Sequence, residues 1–483
     1  MPDRATDTGR AASPDARWGA SGRSPVGPSI HPMKRRIFLS IAGSLLALAS
    51  HRAAAADVPA PDQPDTRVSG QATGLVSERI YDAAKPRLLQ VRSVLASADR
   101  QSSIGSAFMV SADGLAITNY HVVSQFALEP ETYRLEYTAA DGRKGLLQLL
   151  AVDVADDLAV VRVDRPASEF FSFDPQALAG VLTKGQRLYA MGNPLDLGFT
   201  IVDGTNNGLV ERSYQQRIHF SGAINPGMSG GPAVTEDGRI VGINVAKQLG
   251  SDLVSFLVPA QFAAALLKKA ADGPVPAPES FQAEVGRQLY AWQDGMYRAI
   301  AEAGFRDVDS GPYRAPESSA PWFTCWARTN ENEVPKPRAT DNTTGCNTST
   351  ALFVANDLTT GLVLVSHAHL KSVDLNPFQF ATFVSTSHPA AGIGVFHRKW
   401  QAAQECHEDF VQAEPAAEHP AVRVVWCARP YRKFDGLYDV LVQAMTQDRT
   451  GEALVSRMNL QAISYDNALG LTRRFLDGIR WKP

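Results

Sequence analysis

No cysteine precedes Cys325, so the larger part of the chain has neither a disulfide nor a thiolate available to it. Long apolar runs are missing too. The longest, Ile37–Ala49, falls short of the roughly 20 residues that span a bilayer as a helix, so no stable membrane anchor is expected. Charge of one sign is not in excess: a formal net charge of -3, without a basic patch or an acidic tail, gives no sign of a nucleic-acid partner. There is no internal repeat. At 483 residues with 44% hydrophobic residues, the chain is long enough for two or three globular units, each with its own core.

The N-terminal stretch has a different composition. Residues 1–32 are rich in Pro, Gly, Ser, Asp and Arg and are expected to be disordered. At Met33 a basic start (Lys34, Arg35, Arg36) leads into Ile37–Ala49 and then the small residues Ala53 to Ala56. That is the layout of a secretory signal peptide, with Met33 as the expected true start. Arg35-Arg36-Ile37-Phe38-Leu39 also resembles a twin-arginine export signal; the alternative is an ordinary signal peptide whose basic region holds two arginines. Residues 1–56 are thus assigned to extension plus leader and 57–75 to a tether. An exported chain, periplasmic or secreted, follows.

From about residue 80 to 258 short β-rich runs alternate with turn residues, and Asp-Gly pairs at 113–114, 141–142 and 237–238 mark hairpins. Regular short strands of this kind predict a sandwich or a pair of barrels. Val76–Leu95 reads as helical, then extended. Pro259–Ala271 reads as a closing helix, with proline at its start and lysines near its end. The unit is bounded at 76–271, with a Pro/Gly linker at 272–280. Beyond it Phe281, Val285, Leu289, Trp292, Met296 and Ile300 recur at helical spacing. Leu362–Ser366, Ile393–His397 and Val422–Trp426 read as strands, and Leu437–Met445 and Leu469–Ile479 as helices. Residues 281–483 are therefore expected to form a separate α+β domain.

The four cysteines, Cys325, Cys346, Cys406 and Cys427, form two sequence-adjacent pairs of equal spacing. In an exported chain this favours Cys325–Cys346 and Cys406–Cys427 among three connectivities. A zinc site would want closer pairs. His367-Ala368-His369 offers two imidazoles, too few for a metal, and Trp322, Trp326, Trp400 and Trp426 are better read as core than as a ligand surface. No metal or cofactor is expected.

Three segments can together carry acyl-transfer chemistry, which needs a nucleophile, a base, a group orienting the base, and donors for an oxyanion. In Ile117-Thr118-Asn119-Tyr120-His121 a strand ends at a histidine. In Asp156-Asp157-Leu158 a carboxylate adjoins an apolar strand; Asp156 competes for the orienting role, and Asp157 is preferred because it adjoins the strand directly. In Asn225-Pro226-Gly227-Met228-Ser229-Gly230-Gly231-Pro232 glycines flank a serine, as a nucleophile on a tight loop requires. The N–H groups of Gly227 and Ser229 are the expected oxyanion donors.

GSAFMVSADGLAITNYHVV, DLAVVRV, GNPLDLG, GLVE, NPGMSGGPAV, GRIVGINVA and FLVPA, in that order over roughly residues 80–270, resemble trypsin-like peptidases of the HtrA/Deg type. The resemblance implies an all-β, two-barrel chymotrypsin-like fold with the active site between barrels, a triad of His121, Asp157 and Ser229, Gly227 as oxyanion donor, protein or peptide substrates, and serine endopeptidase activity. In this fold the P1 pocket is walled by Gly222-Ala223-Ile224 and Val254-Ser255-Phe256-Leu257; without an acidic residue there, a small or medium apolar P1 side chain is expected. Three departures stand out. Ala107 ends the usual Gly-Ser-Gly, Met228 precedes the serine where Asn is frequent, and no PDZ-like carboxylate-binding loop follows residue 272. The competing expectation is a catalytically silent protease-fold binding or sensor protein whose main role lies in the C-terminal domain.

Overall fold

The computed structural model describes residues 67–247, 253–348, 351–389 and 392–483. The expected extension and leader lie outside them. Helix α1, Arg67–Ala84, begins inside the stretch assigned to the tether and leads through a short 3-10 turn into the first barrel.

That barrel consists of β1 (Leu88–Leu95), β2 (Arg100–Met109), β3 (Leu115–Thr118), β4 (Tyr133–Ala139), β5 (Lys144–Asp153) and β6 (Leu158–Val163), closed in the order β1-β2-β3-β6-β5-β4. Helix α2, Tyr120–Leu128, leaves it after β3. A single helical turn, α3 (Pro175–Leu178), precedes the second barrel. Its strands are β7 (Arg187–Gly192), β8 (Thr200–Leu209), β9 (Ile218–Phe220), β10 (Pro232–Val234), β11 (Ile240–Lys247) and β12 (Ser255–Pro259), closed as β10-β11-β12-β9-β8-β7. Closure leaves no free sheet edge. One apolar cluster joins the barrels: Phe108, Ile117 and Leu158 of the first pack with Leu188, Met191, Ile218 and Val234 of the second. Helix α4, Ala260–Asp272, follows β12, with Pro259 at its N-cap.

The C-terminal region opens with α5, Phe281–Ala303, whose buried residues Phe281, Val285, Leu289, Met296 and Ile300 carry the helical stripe read from the sequence. Strands β13 (Phe305–Ser310) and β14 (Tyr313–Ser318) form a small sheet with the terminal strand Arg480–Trp481. The main sheet uses β15 (Phe323–Thr329), β16 (Ala339–Thr348), β19 (Val363–Ser372), β20 (Glu405–Val411), β21 (Val422–Pro430), β22 (Leu437–Thr446) and β23 (Glu452–Ser464), in the order β15-β16-β19-β23-β22-β21-β20. Between β16 and β19 lies a hairpin of β17 (Leu352–Ala355) and β18 (Leu358–Thr360). Helices α6 (Pro377–Ser387) and α7 (Tyr465–Asp477) complete the region.

Cys325–Cys346 and Cys406–Cys427 are disulfides, each between directly opposed residues of an outermost strand and its neighbour. Both exposed edges of the main sheet are thereby pinned.

Two secondary-structure expectations are corrected. Leu437–Met445 is strand, not helix. It lies between β21 and β23 and is buried along nearly its whole length, and a strand covered on both faces loses the alternation that would separate it from a buried helix. Residues 393–395 are bends and 396–397 irregular, not strand; the Arg429 guanidinium donates to the carbonyls of Ile393 and Val395 and holds them away from any ladder.

The C-terminal region has its own sheets and core, yet it is continuous in packing with the first barrel. Leu289 of α5, Val354 of β17, Trp400 and Phe434 share one buried cluster with Tyr120, Val122 and Val123 of α2. The second barrel is held as well: the Tyr214 ring meets those of Trp292 and Trp322 at 5.8 and 5.2 Å.

Candidate active site

Helix α2 starts without help from its own N-cap, because the Asn119 side chain makes no capping bond. Asp157 supplies one from across the barrel. Its Oδ1 accepts the backbone N–H of His121 at 2.8 Å while its Oδ2 meets His121 Nδ1 at 2.7 Å. A carboxylate at a helix N-terminus is favoured by the macrodipole. Asp157 reaches this place from the turn before β6, in a left-handed conformation (φ 57°), and Asn119 Nδ2 donates to its carbonyl at 2.6 Å. Asp tolerates that conformation better than most residues. Burial pulls the His121 pKa down, but the Asp157 charge and hydrogen bond outweigh it, and the net shift is upward. Nδ1 carries the proton facing Asp157, so Nε2 is left as the basic nitrogen.

The neighbouring carboxylate points elsewhere. Asp156 Oδ1 accepts from Arg217 Nη1 at 3.0 Å, and Arg217 Nη2 also donates to Ala155 O at 3.2 Å, tying the two barrels. Burial and the nearby Asp153 charge raise the Asp156 pKa against the pull of Arg217.

Ser229 stands on the loop between β9 and β10. Gly227 (φ 95°) and Gly230 (φ 85°) are left-handed, and a Cβ on either would fall 2.4 Å from Asn193 O or 2.2 Å from Ser106 O. Ser106 locks this loop. Its N–H donates to Ser229 O at 2.7 Å, its Oγ donates to Gly227 O at 2.7 Å, and the same Oγ accepts the Asn193 N–H at 2.9 Å. Leu195 N–H donates to Pro226 O at 2.9 Å. In a trans peptide the next N–H points the opposite way, so Gly227 N–H faces away from Leu195. Among the described residues, neither Gly227 N–H nor Ser229 N–H donates a hydrogen bond within the protein. Two uncommitted donors therefore flank the serine. Met228 points into the second-barrel core, fully buried against the strand that ends at Gly192.

The serine loop and α2 converge on Gly105, where a Cβ would meet Val122 Cγ2 at 2.4 Å and Ser229 O at 3.0 Å. Among the described residues no hydrogen bond joins Ser229 Oγ to His121; the hydroxyl donates to Val245 O at 3.3 Å. Such bonds are often loose without substrate.

In the expected P1 wall, Ser255 Oγ donates to Gly222 O at 2.8 Å and accepts the Ile224 N–H at 3.3 Å. Ile224 and Ser255 are buried, while Ala223 is exposed. Phe256 is not brought into this wall. Side chains alternate along a strand, and its ring lies beside His219, 6.5 Å away on the paired strand, on the face opposite Ser255.

Sequence reasoning missed Phe353. Its ring meets that of His121 edge-on, with centroids 5.8 Å apart. No local pattern marks it, since it lies in a region read as a separate domain. Elsewhere the His367 ring is consumed by Ser456 Oγ and Pro316 O, and His369 faces Glu452. Glu317, Cys325 and Cys346 lie close enough to share a metal, but both sulfurs are in the disulfide and unavailable as thiolates.

The sequence pattern of the trypsin-like peptidase domain matches residues 105–243. A probable periplasmic serine endoprotease, DegP-like, of Chlamydia muridarum is 32% identical over 157 residues, covering 32% of this chain and 30% of that protein. The putative serine protease HhoA of Synechocystis sp. is 32% identical over 183 residues, covering 36% and 45%. A solved HtrA-type protease with a tripeptide overlaps 41% of this chain and 64% of its own, at 25% identity and a TM-score of 0.35. The chain thus spans less than half the length of these curated relatives. With the two closed barrels, the match over residues 105–243 and the curated relatives mark this part of the chain as a trypsin-like serine peptidase domain similar to those of the HtrA/Deg type.

Proposed function

We propose that this chain is a serine endopeptidase acting on exported or unfolded proteins. The observation that carries the reading is the two-point grip of Asp157 on His121, beside a serine loop whose flanking N–H groups are uncommitted. His121 Nε2 takes the Ser229 Oγ proton as the oxygen attacks the scissile carbonyl. Gly227 and Ser229 N–H receive the negative charge that develops on the carbonyl oxygen. The imidazolium then protonates the leaving amine, and water, activated by the same nitrogen, hydrolyses the acyl-enzyme. Buried Ile224, and the lack of an acidic residue within Gly222-Ala223-Ile224 and Val254-Ser255-Phe256-Leu257, support a small or medium apolar P1 residue. The leader-like segment from Met33 and the periplasmic relatives support export.

One observation favours a second reading, a resting or silent protease fold: Ser229 Oγ is bonded to Val245 O rather than to His121. Cleavage of unfolded casein by the chain from about Asp57, beside Ser229→Ala, separates the two. Loss of roughly 10⁴-fold in rate without the serine supports the endopeptidase. No cleavage and no labelling of Ser229 by a fluorophosphonate would leave the silent fold.

A further inference from the structure

The C-terminal region grips α2, the helix that carries His121, along its length. At one end Tyr120 Oη donates to Val354 O at 2.9 Å, and Leu352 and Val354 are buried in the same cluster as Tyr120 and Val122. At the other end Glu129 pairs with Lys399 at 2.8 Å and with Lys433 at 3.5 Å. The β17–β18 hairpin is therefore fixed against the helix rather than resting on it.

Strand alternation turns Leu352 and Val354 fully into the core, while Phe353, partly buried, packs against the rim of the same cluster. There the Phe353 ring meets Tyr120 at 6.4 Å and His121 at 5.8 Å, with interplanar angles of 72° and 68°. Both separations suit edge-to-face aromatic pairs. Phe353 stays only half-buried, and the His121 side chain keeps 25% of its exposure. Phe353 thus packs at the partly exposed rim of the contact, and its ring and the imidazole form one partly open wall.

We propose that Phe353 is a specificity-determining residue: its ring extends the substrate groove beside the imidazole and receives an apolar side chain adjoining the scissile bond. This rests on the endopeptidase reading. Attack requires the scissile carbonyl within about 3–3.5 Å of the nucleophile, with the imidazole alongside. The substrate side chain next to the cleaved residue on that side then lies within reach of the Phe353 ring. An apolar side chain gains by leaving water there, whereas a charged one loses hydration without recompense. The C-terminal region would thus be part of the cleft.

The test uses quenched peptides varied at the residue before P1 and at the residue after the scissile bond, cleaved by the unmutated chain, Phe353→Ala and Phe353→Leu. At one of these positions Leu or Phe should be favoured over Gly and Asp. Phe353→Ala should lower kcat/KM for the bulky apolar substrates about tenfold relative to the Gly substrate. Phe353→Leu, which keeps an apolar side chain of similar reach, should restore most of the ratio. A uniform loss across all peptides, or unaltered ratios in both variants, overturns the proposal. Absence of both cleavage and fluorophosphonate labelling in the unmutated chain would instead overturn the endopeptidase reading, and this inference with it.

Discussion

Asp157 holds His121 at two points, Oδ1 on the backbone N–H at 2.8 Å and Oδ2 on Nδ1 at 2.7 Å, so one carboxylate both starts helix α2 and orients its imidazole. The two roles separate by substitution. Asp157→Asn keeps an oxygen for the helix but upsets the tautomer, and kcat should fall on the order of 10³–10⁴-fold. Asp157→Ala should show the same loss and also cost about 1 kcal/mol of stability, the usual worth of a helix cap. Steady-state kinetics and urea unfolding of both variants read the two effects independently.

Asp156 is the control. Its partner is Arg217, not His121. Asp156→Asn keeps an oxygen for Arg217 and removes a charge that burial and Asp153 disfavour, so kcat should stay close to that of the unmutated chain with little loss of stability. A catalytic loss matching that of Asp157→Asn would reverse the assignment of the orienting carboxylate.

The pH profile follows from the His121 shift. A base must be neutral to act, so kcat/KM should rise with pH through an apparent pKa above the ordinary histidine value of 6.5 and level off beyond it. In Asp157→Asn the charge that raises the pKa is gone and burial acts alone, so the residual activity should have its acid limb at lower pH. A limb unmoved by Asp157→Asn would mean that another group sets it.

Ser106 offers a third handle. Its hydroxyl joins Gly227 O to Asn193 N–H. Ser106→Ala leaves a buried carbonyl without its donor and frees the peptide that precedes Met228. Loss of an oxyanion donor costs about 10²–10³ in kcat, and the same order is expected here with KM changed far less. Transition-state mimics should lose affinity in parallel, which a purely global destabilisation would not produce.

Much of this site was legible because it is local. Asp-Gly turns bracket the barrel strands, and the glycines around Ser229 answer contacts that a Cβ would violate at Gly227 and Gly230. Asp157 and Asp156 could be ordered only weakly from sequence. What separates them is which barrel each faces, and Arg217, far along the chain, decides that. Phe353 was illegible for the same reason: its meaning comes from docking a distant hairpin on α2. The error at Leu437–Met445 has another source, since a central strand buried on both faces shows no period of two. Phe256 was placed in the pocket wall with the whole segment Val254-Ser255-Phe256-Leu257 that the resemblance implied, although adjacent residues of a strand face opposite ways.

His367 sets the last prediction. Its ring is buried, with Nε2 donating to Pro316 O at 2.9 Å and Nδ1 accepting from Ser456 Oγ at 2.8 Å, and with Phe475 stacked at 5.8 Å. Burial lowers its pKa from 6.5 to about 4, although the bond to Pro316 opposes this. The folded state therefore holds fewer protons at this residue than the unfolded state between those values, and its contribution to stability is present above pH 6.5 and lost as pH falls toward 4. The full loss is up to about 3 kcal/mol. Glu284, held near 2 by Gln288, Lys269 and Arg287 against the effect of burial, loses its contribution only as pH falls below the ordinary carboxylate range. His121, shifted the other way, contributes stability below pH 6.5 that is lost as pH rises through its folded value. Urea unfolding from pH 7 to 4.5, with His367→Gln as reference, isolates the one residue: the unmutated chain should lose stability relative to the variant across this window. Parallel curves would mean that the ring is already charged or is reached by water when folded.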